Sequence, residues 1–289
     1  MSTLTQGSIA SMQICFYGAG SMAEAIARGV ISNELIQADR ITMLNRSNED
    51  RLAELHQQYG VRTKLQGCSH EGSLREADII FLAMKPKDAA EALDELKPLL
   101  SPRQLVVSVI AGLSIASMEQ LLGGDQPIVR AMPNTSSTIG LGATGISYST
   151  AVSEQQRGIA EAIFQSIGII TVVAESLQSA ITGVSGSGPA YVYAFMEAMM
   201  QGASELGLTE DAARELVIQT VLGAAQMART TGEHPAELRR KVTSPNGTTE
   251  AALRVMAEGQ LAHTVVSGMR RSADRADELG EAIERSIAQ

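Results

Sequence analysis

The chain has no Trp, and its 4 Phe and 5 Tyr bring the aromatic share of 289 residues to only 3%. Recognition of single-stranded nucleic acid or sugars by stacking needs exposed aromatic platforms, so that class of function is excluded. A basic surplus is missing too: 23 Lys and Arg stand against 32 Asp and Glu, a formal charge of −9. This is the wrong sign for a surface that neutralises a phosphate backbone, and no nucleic-acid partner is expected. Cysteine is nearly absent. Cys15 and Cys68 lie far apart without CxxC or Cys/His spacing, so neither a disulfide framework nor a metal site is expected, and both read as buried or half-buried free thiols. Met1 to Met12 lacks the basic start and apolar stretch of a signal peptide. No run nears the roughly 18 to 20 apolar residues of a membrane span. The expectation is a cytoplasmic protein without membrane contact, its residues 1–11 a loose leader.

What is present is globular: 44% hydrophobic residues, with a core to be filled by Ala, Leu, Ile, Val and 13 Met. At roughly 150 residues per domain the length suits about two domains. Gln13 to Tyr17 is a short β-rich run ending in Gly18-Ala19-Gly20-Ser21-Met22-Ala23, and an Ala-rich helical pattern continues to Val30. A strand at Ile41 to Leu44 leads into Asn45-Arg46-Ser47 and a helix from Glu49 to Tyr59 with Leu52 and Leu55 on one face. Unalternating apolar runs at Ile79 to Met84, Leu105 to Ile110 and Ile128 to Met132 read as strands buried on both faces. Helical stretches at Lys87 to Leu99 and Ile115 to Leu122 separate them. A helix from Glu154 to Ile167 and a strand from Ile169 to Val173 complete a doubly wound α/β, Rossmann-like domain over residues 12–174.

Residues 175–289 read as an all-α domain. The helix from Pro189 to Leu206 carries Tyr191, Val192, Phe195, Met196 and Met199, too apolar for one stripe. A subunit interface is its expected cover. The last helix, Gln260 to Ser286, runs an apolar stripe through Leu261, Val265, Met269, Ala276 and Ile283, with outer pairs such as Glu281 and Arg285 on a solvated face.

Gly18-x-Gly20-x-x-Ala23, after a strand and before a helix, is the dinucleotide fingerprint with Ala in third place. Gly18 permits a tight turn, Gly20 lets backbone approach a pyrophosphate, and Ala23 keeps helix and strand close. The helix start then offers unpaired N–H groups to the anion. At the tip of the second strand a free ribose 2′-hydroxyl would want an acid, whereas Asn45-Arg46-Ser47 offers a guanidinium fork for a 2′-phosphate. NADPH is therefore expected over NADH. A solvent-facing Arg46 at a helix start is the alternative.

Four further segments bear on identity: Ala83-Met84-Lys85-Pro86, Arg130-Ala-Met-Pro-Asn134, Ser185-Gly-Ser-Gly-Pro-Ala-Tyr191 and Thr243-Ser-Pro-Asn-Gly-Thr-Thr249. With them, in that order, the chain from Met12 to the last helix closely resembles the pyrroline-5-carboxylate reductases. The resemblance implies an N-terminal NADPH-binding domain and a helical C-terminal domain that intertwines as a homodimer, often within a decamer. It implies a small-molecule substrate, a cyclic imine carboxylate reduced by hydride transfer to L-proline. On the family pattern Ala83, Met84, Lys85 and Pro86 lie along the cofactor, as does Ala111 in the Ile110-Ala111-Gly112 turn. The amides of Gly247, Thr248 and Thr249 would hold the substrate carboxylate, with the Thr249 hydroxyl, the candidate catalytic group, facing the ring nitrogen. Glu175 matches a family Glu near the substrate.

The residues of that loop read the same way on their own: Gly247-Thr-Thr-Glu250 precedes an Ala-rich helical run, so its amides are first-turn donors without intrahelical partners. A purely structural helix cap is the alternative there. An iminium is already a good hydride acceptor, so the site has mainly to orient two reactants. None of His56, His70, His234 and His263 falls in a motif, and each reads as a surface or structural His. Asn246-Gly247 replaces the family's Gly-Gly, which Asn's tolerance of positive φ permits, and His70 stands where the family often has Asn near the adenine end. A β-hydroxyacid reductase on the same plan would place a Lys on the helix from Pro189 to Leu206, which has none. A silent dinucleotide-binding paralogue would not need Gly247, Thr248 and Thr249 intact.

Overall fold

The computed structural model describes residues 9–67 and 70–287, without the side chain of Ser286. Cys68 lies outside the described residues. Ile9, within the stretch expected to be a loose leader, is 1% exposed and packs into the core, and Ser11 O accepts from Arg40 at 2.8 Å. That stretch is anchored from Ile9 onward.

The order of elements is β1 (Ile14–Tyr17), α1 (Ser21–Ser32), β2 (Ile41–Asn45), α2 (Glu49–Tyr59), β3 (Arg62–Leu65), α3 (Glu71–Glu76), β4 (Ile79–Leu82), α4 (Ala89–Leu96), β5 (Leu105–Ser108), α5 (Ile115–Leu122), β6 (Ile128–Met132), β7 (Gly142–Tyr148), α6 (Glu154–Gln165) and β8 (Gly168–Val172). The strands form one sheet in the order β3-β2-β1-β4-β5-β6-β7-β8. Pairing is parallel except between β6 and β7, after which β8 runs parallel to β7. β1, β2, β4 and β5 are buried on both faces apart from a half-exposed Asn45, as their unalternating apolar sequences require. Strand order reverses between β1 and β4, and the crevice beyond the carboxyl ends of these two strands is where open α/β sheets bind ligands.

Three of the four Phe hold the core: the rings of Phe16 and Phe81 stack at 4.7 Å, and Phe164 meets Phe81 edge-on at 6.2 Å. Glycine does the rest of the close packing around β7. A Cβ on Gly145 would stand 2.7 Å from Ile181, and one on Gly142 2.2 Å from Ser137 Oγ.

The described residues fall into two compact units, one running to Ser187 and resuming at Arg271, the other Gly188–Arg270. The break falls later than the boundary expected at 174/175. The segment after Glu175 is tied to the sheet: α7 (Gln178–Ile181) contributes Gln178, 1% exposed, which donates to Ser147 Oγ at 2.9 Å. A π-helical turn, Thr182–Gly186, follows, with Asn134 donating to Ser185 O at 3.0 Å. The second unit holds α8 (Gly188–Glu205), α9 (Glu210–Thr231), α10 (Pro235–Lys241), α11 (Thr248–Glu258) and the first turns of α12 (Leu261–Ile287). The end of α12 belongs to the first unit, where Ile283 joins the core.

Candidate functional site: a dinucleotide cleft and an open helix start

β1 ends at Tyr17, and Gly18, at φ +121, turns the chain while its N–H donates to Leu44 O at 3.1 Å. A Cβ on Gly18 would lie 2.5 Å from Ala83 O, so this glycine serves both the turn and the approach of β4. Gly20 differs: a Cβ there would meet nothing within 4 Å. The space it leaves open faces a cavity of about 1040 Å³ at the β1/β4 switch point. Gly20 is also the N-cap of α1 and brings no side chain to the first-turn N–H groups, so these are available to an anion. Ala23, 0% exposed, sits behind the loop as the fingerprint requires.

Arg51 braces the loop from α2. Its Nε donates to Ala19 O at 3.3 Å, and its guanidinium pairs with Glu24 in the first turn of α1. Tyr59 donates to the same carboxylate at 2.8 Å. Burial alone would raise the Glu24 pKa, but the hydrogen bonds from Arg51 and Tyr59 outweigh it and hold the carboxyl below its usual range.

Gly18, Ala19, Gly20, Ser21 and Met22 line the cavity, as do Asn45 and Arg46 and, from β4 onward, Ala83, Met84 and Lys85. Ala23, Ser47, Pro86 and Ala111 are not part of its wall. Asn45 Oδ1 accepts from the N–H of Ser47 at 3.1 Å and of Asn48 at 3.0 Å, which fixes the tip of β2. Arg46 Nη2 bonds Glu91 Oε2 at 2.9 Å and Nη1 approaches Asp88 Oδ1 at 3.5 Å. Sequence reasoning missed the acids Asp88, Glu91 and Glu95, which face the cavity from α4 and the turn before it. Tyr17 donates to Glu95 at 2.8 Å; burial first, then that bond, pushes the phenol far above its ordinary range. His70 lines the cavity too, its Nδ1 accepting from Gly67 N at 2.9 Å. Two other histidines make local bonds: His56 Nδ1 meets Val61 O, and His234 caps α10.

The chemistry of this wall suits a dinucleotide: an uncapped helix start beside open space, and at the tip of β2 a guanidinium, held here by Asp88 and Glu91. A second cavity of the same unit, about 520 Å³, is bordered by Gly112, Ser114, Arg130, Glu175 and Ser179. Glu175 Oε1 accepts from Ile115 N at 2.7 Å and from Arg130 at 2.9 Å. Glu175 thus holds the start of α5 and the middle of β6 together.

In the second unit, Asn246 adopts φ +59, a conformation that Asn tolerates in place of the family's Gly, and Gly247 becomes the N-cap of α11 with no side-chain cap. Its Cβ would stand 2.4 Å from Ser244 Oγ, so the turn is built around a glycine. Glu250 reaches back to accept from Asn246 N at 2.6 Å. The amides of Thr248 and Thr249 sit at a bare helix start, with Thr249 half-buried. Among the described residues no group of three or more His, Cys, Asp or Glu is placed to hold a metal ion, and no helix is long and apolar enough to cross a membrane.

Comparison with known proteins gives two family matches: "Pyrroline-5-carboxylate reductase dimerisation" over residues 175–279 and "NADP oxidoreductase coenzyme F420-dependent" over residues 13–112. Pyrroline-5-carboxylate reductase 1 of Bacillus subtilis is 41% identical over 276 residues, 96% of this chain and 92% of that protein. The Arabidopsis thaliana pyrroline-5-carboxylate reductase is 36% identical over 271 residues, 94% and 96% of the two chains. Among solved structures, a Coxiella burnetii pyrroline-5-carboxylate reductase superposes with TM-score 0.85 at 38% identity, covering 93% of this chain and 98% of that one. A Plasmodium falciparum pyrroline carboxylate reductase with NADP bound gives TM-score 0.85 at 28% identity, covering 94% and 99%.

Proposed function

The chain belongs to the pyrroline-5-carboxylate reductase family, and from that premise we propose how its residues carry out the reduction of 1-pyrroline-5-carboxylate to L-proline with NADPH. The observation that carries the reading is the pair of bare helix starts, at Gly20 and at Gly247, in a chain alignable over nearly its whole length with these reductases. When bound, NADPH supplies the hydride that adds to the imine carbon. Gly18, Ala19, Gly20, Ser21 and Met22 receive the pyrophosphate, with Ala23 keeping α1 close behind them. Arg46, on a tip shaped by Asn45 and Ser47, meets the 2′-phosphate, and NADH, lacking that group, is less favoured. Ala83, Met84, Lys85, Pro86 and Ala111 run along the cofactor.

The amides of Gly247, Thr248 and Thr249 hold the substrate carboxylate, an anion worth about 0.3 to 2 kcal/mol at a helix start. The Thr249 hydroxyl faces the ring nitrogen and orients the ring, so that a protonated imine and a carboxylate are fixed at two points. On the family resemblance Glu175 is a further substrate-side residue, its Oε1 held by Ile115 N and Arg130. No strong acid is needed, because the imine nitrogen arrives protonated and becomes the amine as the carbon takes the hydride.

The working form is a homodimer, open to further assembly as a decamer, in the cytoplasm and without nucleic-acid partners. The exposed apolar face of α8 and the dimerisation-family match support the dimer. Purified protein given NADPH and pyrroline-5-carboxylate should oxidise the one and yield L-proline from the other. Thr249→Ala should lower kcat by on the order of 10²-fold, the cost of a misplaced reactant, with NADPH affinity retained. No turnover by folded protein would remove the assignment, and unchanged turnover in the variant would clear Thr249 of a role.

A further inference from the structure

The carboxylates of Asp88, Glu91 and Glu95 all face the dinucleotide cavity, spaced three and four residues apart so that they share one side of α4 and its lead-in turn. Glu95 is engaged by the Tyr17 hydroxyl. Asp88 and Glu91 are engaged by Arg46, one on each terminal nitrogen of the guanidinium, at 3.5 and 2.9 Å. The fork that a 2′-phosphate would require is therefore already taken on both prongs. We propose that Asp88 and Glu91 form an ionic latch on Arg46, displaced by the 2′-phosphate on binding, and that these two acids thereby set how strongly the protein prefers NADPH to NADH.

The inference rests on the NADPH reading above. The latch is weak because it is wet: the side chains of Arg46 and Glu91 are 65% and 64% exposed, and such pairs are easily exchanged. A phosphate carrying nearly two negative charges is the stronger partner for a guanidinium. Once displaced, the two carboxylates are left near the phosphate and repel it, so they count against the 2′-phosphate twice. A free 2′-hydroxyl does not need Arg46 and leaves the latch closed. The acids therefore narrow the gap between the two cofactors.

The test compares binding of adenosine 2′,5′-bisphosphate and adenosine 5′-monophosphate by calorimetry, a pair that differs only in the 2′-phosphate. Wild type should favour the bisphosphate. Glu91→Gln and Asp88→Asn should each tighten it by about two- to fivefold, the range for exposed pairs, leave the monophosphate unchanged, and lose the gain as salt rises. In an Arg46→Gln background the gain from Glu91→Gln should shrink. A bisphosphate affinity that both variants leave unchanged or weaken overturns the latch, as does equal tightening of both probes or a gain that survives in full without Arg46. A wild type with no preference for the bisphosphate overturns the NADPH reading itself, and the latch with it.

Discussion

Gly18 and Gly20 belong to one motif but answer to different neighbours. A methyl on Gly18 would collide with Ala83 O at a backbone φ of +121, whereas a methyl on Gly20 would meet only open cavity. Gly18→Ala should therefore destabilise the fold by about 1 to 3 kcal/mol as well as abolish cofactor binding. Gly20→Ala should leave unfolding within about 0.5 kcal/mol of wild type yet weaken NADPH by about 1 to 3 kcal/mol, the usual cost of an extra methyl in filled space. Denaturant melts and cofactor titrations on the two variants separate these effects; an equal loss of stability in both would mean that Gly20 too is held by the protein. The same contrast of surroundings governs Cys15, wholly buried in β1, where burial pushes the thiol up to about 12. At pH 8 it should resist alkylation in the folded protein and react once unfolded, as peptide mapping would show.

At the level of elements, the strands with unalternating apolar runs were legible in the sequence because burial on both faces leaves no room for polar residues. β7 was not, since Gly142 and Gly145 are dictated by Ser137 and Ile181 lying against them, and a strand made of small residues carries no apolar signature. β3, with Arg62, Thr63 and Lys64 on the sheet's edge, packs only Leu65 against the core, too little apolar pattern to betray it. The site divides likewise: its glycine turns and open helix starts are local and readable, but the acids facing Arg46 come from a distant helix that only the fold brings round. Gly280 read as one more residue of a long helix, yet a Cβ on it would stand 2.8 Å from Gly112 O, where the turn after β5 meets α12. Gly280→Ala should cost about 1 to 3 kcal/mol by overpacking in equilibrium unfolding, and no cost would show that the helix can slide away. The brace between α1 and α2 makes a pH prediction. Because Glu24 has its carboxyl pKa depressed in the fold, it adds stability above its unfolded value of about 4.3 and loses it as pH falls through the lower folded value. Glu24→Gln should therefore be less stable than wild type at pH 7, with the difference closing under acid; a difference independent of pH would mean that charge is not what the brace uses.

For the molecule as a whole, the scarcity of aromatics is offset differently in the two units. The first concentrates three Phe in one buried column, while the fourth, Phe195 on α8, is 41% exposed together with Val192 at 42% and Tyr193 at 57%. No residue of α8 is buried, and among the described residues of 188–270 only Ala213 and Val217 are buried hydrophobics. A unit that hides so little apolar surface has no core of its own, and each such side chain gains about 1.5 to 3 kcal/mol when covered. Further exposed residues on the same unit, Leu216, Leu222, Met227, Val255 and Val265, spread the apolar surface over α9, α11 and α12, more than a monomer normally leaves open. A second copy of the chain is the occupant we propose, and folding of this unit should then be inseparable from association. The solution mass should be a multiple of 30.5 kDa, and the thermal midpoint should rise with protein concentration, as it does when assembly stabilises the fold. Phe195→Glu should lower the mass toward that of one chain and shed helical signal from the second unit while leaving the cofactor cleft able to bind NADPH. A wild-type protein that is monomeric by light scattering and melts at a concentration-independent temperature would refute this account.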